Sequence, residues 1–203
     1  MFKELLDSLL ATYQAEILPD SNLQRAAVLI PIYELDDDVG PVLVFTKRSQ
    51  SVRHHKGEIS FPGGVQEKGE TLQETALREA REELGAAPFK ILGRINDFRT
   101  ITDYLVSPYV GYGRECPRWD PNKEVAKIIQ VPLVELLKEE RWEMGTYFWR
   151  AQEFPVYYFH WLDSRSDNPV EEEIIWGATA NMLQSFLSLL RSSPETMDYL
   201  LSF

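Results

Sequence analysis

Residues 64–86 read GVQEKGETLQETALREAREELGA, from Gly64 to Ala86. Within this run Gly64 is followed, after five residues, by Glu70; seven residues later come Arg78 and Glu79, then the pair Glu82–Glu83, then Gly85. Seven fixed residues at roughly 7% background each, tried over about 200 starting points, coincide by accident about once in a million. The second half predicts one helix. Thr71 stands as an N-cap, Glu74 three residues later completes a capping box, and Gly85 stands where a left-handed C-cap belongs.

On that helix Glu79, Glu82 and Glu83 fall within one turn, while Leu72, Ala76, Ala80 and Leu84 suit the packed side. Three converging carboxylates repel one another, and their hard oxygens suit Mg²⁺ or Mn²⁺. A Glu-rich helix paired with Arg78 and Arg81 is ordinarily a solvated face. Such a face has no need of the Pro62-Gly63-Gly64 turn that leads in here, nor of Glu70 eight residues ahead of Arg78.

On these residues the chain resembles the Nudix hydrolases. It carries every fixed position of their box, with Ala86 where a larger aliphatic residue is usual. The resemblance implies an α/β fold, the Nudix-type α/β/α sandwich with a central mixed sheet. It also implies hydrolysis of a nucleoside diphosphate linked to another moiety, with Mg²⁺ or Mn²⁺ as cofactor. Carried over position by position, Glu79 and Glu83 are the principal metal ligands, joined by the Gly64 carbonyl. Glu82 is a further ligand or the base acting on water, and Glu70 with Arg78 braces the loop against the helix. Glu124 occupies a place from which related enzymes bring an extra carboxylate, and ranks second to Glu82 as base; Glu115 lies on a plausible loop between.

The segment before the box narrows the resemblance. Thr46-Lys-Arg-Ser49, then Arg53, Gly57 and Phe61-Pro-Gly-Gly64 are similar to the signature of the coenzyme A diphosphatases within the family. Asn122-x-Glu124-Val125, Val131-Pro-Leu133 and Ile175-Trp-Gly-Ala-Thr-Ala180 resemble later stretches of the same subfamily. That subfamily implies cleavage of CoA or its derivatives to 3′,5′-ADP and 4′-phosphopantetheine. Another nucleoside diphosphate derivative, such as ADP-ribose or NADH, is the alternative substrate. A non-catalytic nucleotide-binding sensor is a remoter one, opposed by the intact box.

The charge pattern has a matching sense. Lys47, Arg48, Arg53, His54, His55 and Lys56 concentrate positive charge in a chain of net charge −11. An acidic protein repels a polyanion at long range, so local cations must overcome that field where the substrate lands. Arg48 and Arg53, which fall on the subfamily pattern, are the expected phosphate-binding residues. The adjacent His54 and His55 point to opposite sides of an extended segment and suit solvent or phosphate better than a metal.

At 203 residues and 44% hydrophobic, the chain suits a single domain from 1 to 203. A helical extension is expected over 1–24, with Phe2 to Ile17 amphipathic, and a C-terminal helix over 172–192. Strands are expected at Ala26–Tyr33, Val42–Thr46, Glu58–Phe61, Lys90–Phe98, Val106–Tyr112 and Glu124–Val131. A short helix follows over Pro132–Glu140, then an aromatic hairpin of Trp142–Trp149 and Val156–Trp161. The run Glu171–Glu173 complements the N-terminal end of the last helix.

No apolar run reaches membrane length, and acids interrupt the start of the chain, so neither a span nor a signal core is expected. The lone Cys116 excludes an internal disulfide, reads as a bystander thiol and is compatible with a reducing cytoplasm. An acidic chain without a basic stripe is not a general nucleic-acid binder. The expected partner is a small nucleotide of the CoA class. A homodimer, through the aromatic hairpin or the N-terminal helix, is compatible with the sequence.

Overall fold

The computed structural model describes residues 1–19, 22–34, 39–51, 55–85, 89–113, 118–162 and 172–203. The chain opens with α1 (Phe2–Thr12), β1 (Gln24–Glu34), β2 (Pro41–Arg48), β3 (Ile59–Ser60), β4 (Gly63–Val65) and α2 (Leu72–Leu84). It continues through β5 (Lys90–Arg94), β6 (Phe98–Arg99), β7 (Tyr104–Gly113), β8 (Val125–Pro132), α3 (Leu133–Leu136) and a 3₁₀ turn, Glu139–Arg141. It closes with β9 (Trp142–Trp149), β10 (Gln152–Trp161), β11 (Glu173–Trp176), α4 (Gly177–Arg191) and α5 (Pro194–Leu200).

The first eight strands form a mixed sheet ordered β3-β2-β1-β7-β5, with β4 beside β1, β6 beside β7 and β8 beside β2. Among the described pairings β1 with β7 is parallel and the others are antiparallel. The mixed α/β class is therefore as the sequence indicates. Because both faces of β1 are covered, it reads as a near-continuous apolar run. Ala26, Ile30 and Ile32 join a core shared with α1 and α4, while Ala27 and Leu29 pack with Ala76 and Ala80 of α2. Phe2, Leu6 and Leu10 give α1 a single buried stripe at helical spacing.

A second sheet, ordered β11-β10-β9, packs Phe159, Trp161 and Ile175 into the α4 side of that core. Its first strand corrects the expected helix over 172–192, because Glu173–Trp176 pairs with Tyr158–Trp161 and the helix starts only at Gly177. Glu173 therefore complements no helix terminus. It is buried between Lys47 Nζ at 2.8 Å and Lys127 Nζ at 2.9 Å, joining the two sheets. Lys47 and Lys127 are register partners on β2 and β8, so the carboxylate also relieves their mutual repulsion.

Other boundaries moved for related reasons. The first helix stops at Thr12 rather than Ile17 because the next residues are held by a loop: Glu16 N–H and Tyr13 Oη both donate to Asn96 Oδ1 at 2.8 Å, and Leu18 N–H to Asp97 Oδ2 at 3.0 Å. The same loop divides the expected strand Lys90–Phe98 into β5 and β6. Over 132–140 the helix lasts only from Leu133 to Leu136 before the 3₁₀ turn. The helix α5 starts with a Ser193 cap and proline in its first turn.

Candidate active site

The box helix forms as its ends dictate. Glu74 N–H donates to Thr71 Oγ1 at 3.2 Å and Thr71 N–H to Glu74 Oε2 at 2.7 Å, closing the capping box. Ala76 and Ala80 let the helix lie close on β1. At the other end Gly85 has φ 89° and ψ −173°, so it is not the left-handed cap expected. The chain leaves extended, and Asp120 N–H reaches Leu84 C=O at 3.2 Å from a separate loop, serving a carbonyl at the helix end.

Glu70 and Arg78 meet in a two-pronged contact, Nε to Oε1 at 2.7 Å and Nη2 to Oε2 at 3.2 Å. Nη2 also donates to Val65 C=O at 3.2 Å, and Nη1 to Glu79 Oε1 at 2.8 Å, so one guanidinium ties β4, the loop and α2 together. The Glu70 carboxyl is held at about 2, foremost by Arg78. A depressed carboxylate stabilises the fold above its unfolded value and loses that contribution as pH falls through its folded value. Glu70→Gln is therefore expected to lower stability at neutral pH. Urea unfolding of parent and variant should converge as pH falls from about 4.5 towards 2.

The glutamates of the helix have unequal environments. Glu83 is buried, 6% exposed, and accepts from Thr46 Oγ1 at 2.8 Å and from the Gly63 backbone. Burial raises its pKa to about 7, against the opposing pull of Thr46 and the Arg48 charge. Glu79 is also raised, foremost by burial, with Glu82 and Glu124 adding repulsion against Arg78. Glu82 is 53% exposed, with Arg78 Nη1 3.5 Å away. The three carboxylates thus share a turn without converging equally. Among the described residues no three acidic, histidine or cysteine side chains form a ready-made metal cage.

Gly64 is where β4 meets the helix. A Cβ there would lie 2.3 Å from Glu79 Oε1, so the carboxylate occupies the space that a side chain would fill. Glu124, on the segment entering β8, is brought across from a distant part of the chain, and Arg48 Nη2 lies 3.4 Å from its Oε2. Arg48 Nε is buried with no hydrogen-bond partner among the described residues. Arg53, His54, Glu115 and Cys116 lie outside the described residues.

Thr46, in the sequence one member of the pre-box motif, makes the hydrogen bond that fixes Glu83. Strand alternation carried the signal: Thr46 and Arg48 share the face of β2 that meets the box, and Lys47 takes the opposite face.

A sequence model of the NUDIX domain matches residues 23–115. An uncharacterized Nudix hydrolase NudL of Photorhabdus laumondii is 36% identical over 170 residues, covering 82% of this chain and 84% of that protein. The chain belongs to the Nudix hydrolase family. Nudix hydrolase 3 of Caenorhabditis elegans is 31% identical over 218 residues, covering 100% of this chain and 88% of its own. A crystal structure of a MutT/nudix family protein from Enterococcus faecalis, 12% identical, covers 92% of this chain and is itself covered to 70%, with a TM-score of 0.55, a likeness of fold.

This Nudix hydrolase therefore acts on phosphoanhydride bonds of nucleoside diphosphate derivatives. The family generally uses divalent ions such as Mg²⁺ or Mn²⁺, and the donor set fits one. Glu79, packed against Gly64, and Glu83 offer hard oxygens at a buried spot where ionisation is costly, and a bound cation would offset that cost. Among the described residues no helix is long and apolar enough to cross a membrane.

Proposed function

We propose that this Nudix hydrolase is a coenzyme A diphosphatase, cleaving CoA or its derivatives to 3′,5′-ADP and 4′-phosphopantetheine or its acyl form. The observation that carries the reading is that the pre-box run is built into the box. Thr46 anchors Glu83, Arg48 stands between Glu83 and Glu124, and Gly57, at φ 73°, turns the chain back towards Phe61-Pro-Gly-Gly64. A signature tied only to local folding would have no cause to hold a buried carboxylate of a neighbouring helix.

In this reading Glu79, Glu83 and the Gly64 carbonyl hold Mg²⁺ or Mn²⁺, with Glu82 a further ligand or the base. When bound, the cation neutralises diphosphate charge and acidifies a water. Arg48 offers its unpaired Nε to a phosphate oxygen, and Arg53 supplies a second cation. Glu70 and Arg78 keep the Gly64 turn and Glu79 in register. Glu82, exposed beside Glu79, takes the proton of the attacking water, and Glu124 is the second choice. The whole chain acts as one domain, in a reducing cytoplasm that suits its single cysteine.

Two experiments bear on this. Mass-spectrometric product analysis with CoA, dephospho-CoA, ADP-ribose and NADH, each with Mg²⁺ or Mn²⁺ and a chelator control, is expected to show metal-dependent 3′,5′-ADP and phosphopantetheine from CoA. Preferred cleavage of ADP-ribose or NADH would retain the box chemistry and discard the subfamily. For the base, Glu82→Gln is expected to lower kcat by roughly a hundredfold, and Glu124→Gln by about tenfold. The reverse order, measured at saturating metal, would exchange their roles.

A further inference from the structure

The second sheet ends in an open edge: its order, β11-β10-β9, leaves β9 with one neighbour among the described residues. Trp142–Trp149 pairs with β10 in unbroken register, from Trp149 opposite Gln152 to Trp142 opposite Phe159. Pro155, opposite Thr146, has no N–H to give, so this pair is not hydrogen-bonded and the N–H and C=O of Thr146 point to the open edge. By the same alternation those of Met144 and Phe148 point there too, while Gly145 and Tyr147 bond to β10. The usual devices that blunt an edge are missing. The strand holds no lysine, no proline and no bulge, and Glu143 is its single charge.

The side chains add to this. Trp142, Met144, Thr146 and Phe148 share the face on which Phe159 enters the core, and the stripe runs on past that core: Met144 is 68% and Phe148 66% exposed. Apolar surface beside unpaired backbone suits the addition of a strand. The charges select the occupant. Glu139, Glu140 and Glu143 are exposed where the strand starts, and Arg150, 71% exposed with Asp103 3.7 Å away, stands where it ends. A second β9 laid antiparallel sets each Arg150 against the acidic start of the other copy, whereas a parallel one would set like against like. With Thr146 at the centre, each Met144 opposes Phe148 of the other copy and threonine meets threonine. The four apolar side chains and the two edges would cover on the order of 1,000 Å², the lower limit for a specific interface.

We propose that two copies of this chain join through β9, antiparallel about Thr146, so that two three-stranded sheets become one continuous sheet. Of the two surfaces named from the sequence, this selects the aromatic hairpin over the N-terminal helix. It does not depend on which substrate the enzyme takes.

The test is sedimentation velocity of the full-length chain from about 1 to 100 µM, with amide hydrogen exchange read by NMR at both ends of that range. The parent is expected to form a reversible dimer that half-dissociates in the micromolar range, and exchange at Thr146 should slow by about tenfold as concentration rises. Tyr147, whose N–H is bonded to β10 in either state, should not change. Thr146→Pro removes no bond to β10, and Phe148→Lys alters an exposed position. Both should keep the fold by circular dichroism and weaken association by more than about tenfold. A parent that stays monomeric at about 100 µM overturns the proposal. So does a dimer whose Thr146 amide exchanges as fast as in the monomer, or one that both variants leave intact.

Discussion

Replacing Glu83 with Gln is expected to lower kcat by about three orders of magnitude while making the metal-free protein more stable. The two effects have one origin. Glu83 is buried beneath Thr46 and Gly63, and burial lifts its pKa from 4.5 to about 7. A carboxyl with a raised folded pKa opposes folding when ionised, fully so above pH 7 and not at all below its unfolded value. Gln can still accept from Thr46 Oγ1 without carrying that charge. At pH 8, with chelator present, the variant should gain stability on the order of 3 kcal/mol, and the gain should shrink as pH falls from about 7 to 4.5. Urea unfolding across that range, with kcat measured at saturating Mg²⁺ or Mn²⁺, checks both halves. Near-normal turnover would remove Glu83 from the metal site; a loss of metal-free stability would mean that its burial is matched by partners other than those named.

The second large effect separates two adjacent glycines. At Gly64 a Cβ would strike the Glu79 carboxylate at 2.3 Å, the mobile end of a side chain. At Gly63 it would strike Ala27 C=O at 2.5 Å and Val28 Cα at 2.7 Å, both backbone atoms of a central strand. Gly64→Ala is therefore expected to lower stability by less than about 1 kcal/mol but kcat/KM by more than two orders of magnitude, because it displaces a proposed ligand. Gly63→Ala should instead lower stability by about 3 kcal/mol or more, since neither strand can give way. Thermal unfolding beside steady-state kinetics distinguishes them. Two variants with the same profile would show that the close approach at Gly64 has no bearing on chemistry.

Much of this was legible in the sequence because the box is a local device. The cap at Thr71 and the small residues facing β1 follow from helical spacing, which a sequence displays, and the partner of Arg78 follows from the family pattern. What the spacing hid was depth. Glu79, Glu82 and Glu83 look equivalent on a helical wheel, yet their exposure depends on β2 and β4, strands that the wheel does not contain. The same limit explains Glu173. Beside Glu171 and Glu172 it reads as part of an acidic run complementing the start of the last helix, and only the pairing of β11 with β10 turns it inward to meet two lysines from another sheet. Gly85 shows the limit at a single residue: its positive φ is legible, but the direction of the exit follows from Asp120, 35 positions further along the chain.

Arg48 illustrates the reverse case, in which a sequence pattern outran local physics. Alternation along β2 puts it on the opposite face from Lys47 without saying which face meets the box, and the subfamily pattern selected it. In the fold it is Arg48 that faces Glu83 and Glu124, while Lys47 is committed to Glu173 on the other side of the strand. The two faces of one strand thus serve two tasks, a charged wall beside the box and an ionic joint between sheets.

The most direct test of the account is a comparison of kcat/KM for CoA and dephospho-CoA with the parent enzyme at saturating Mn²⁺ or Mg²⁺. A CoA diphosphatase that recognises the whole coenzyme is predicted to favour CoA by about tenfold or more. Equal values, or a preference for dephospho-CoA, would contradict it.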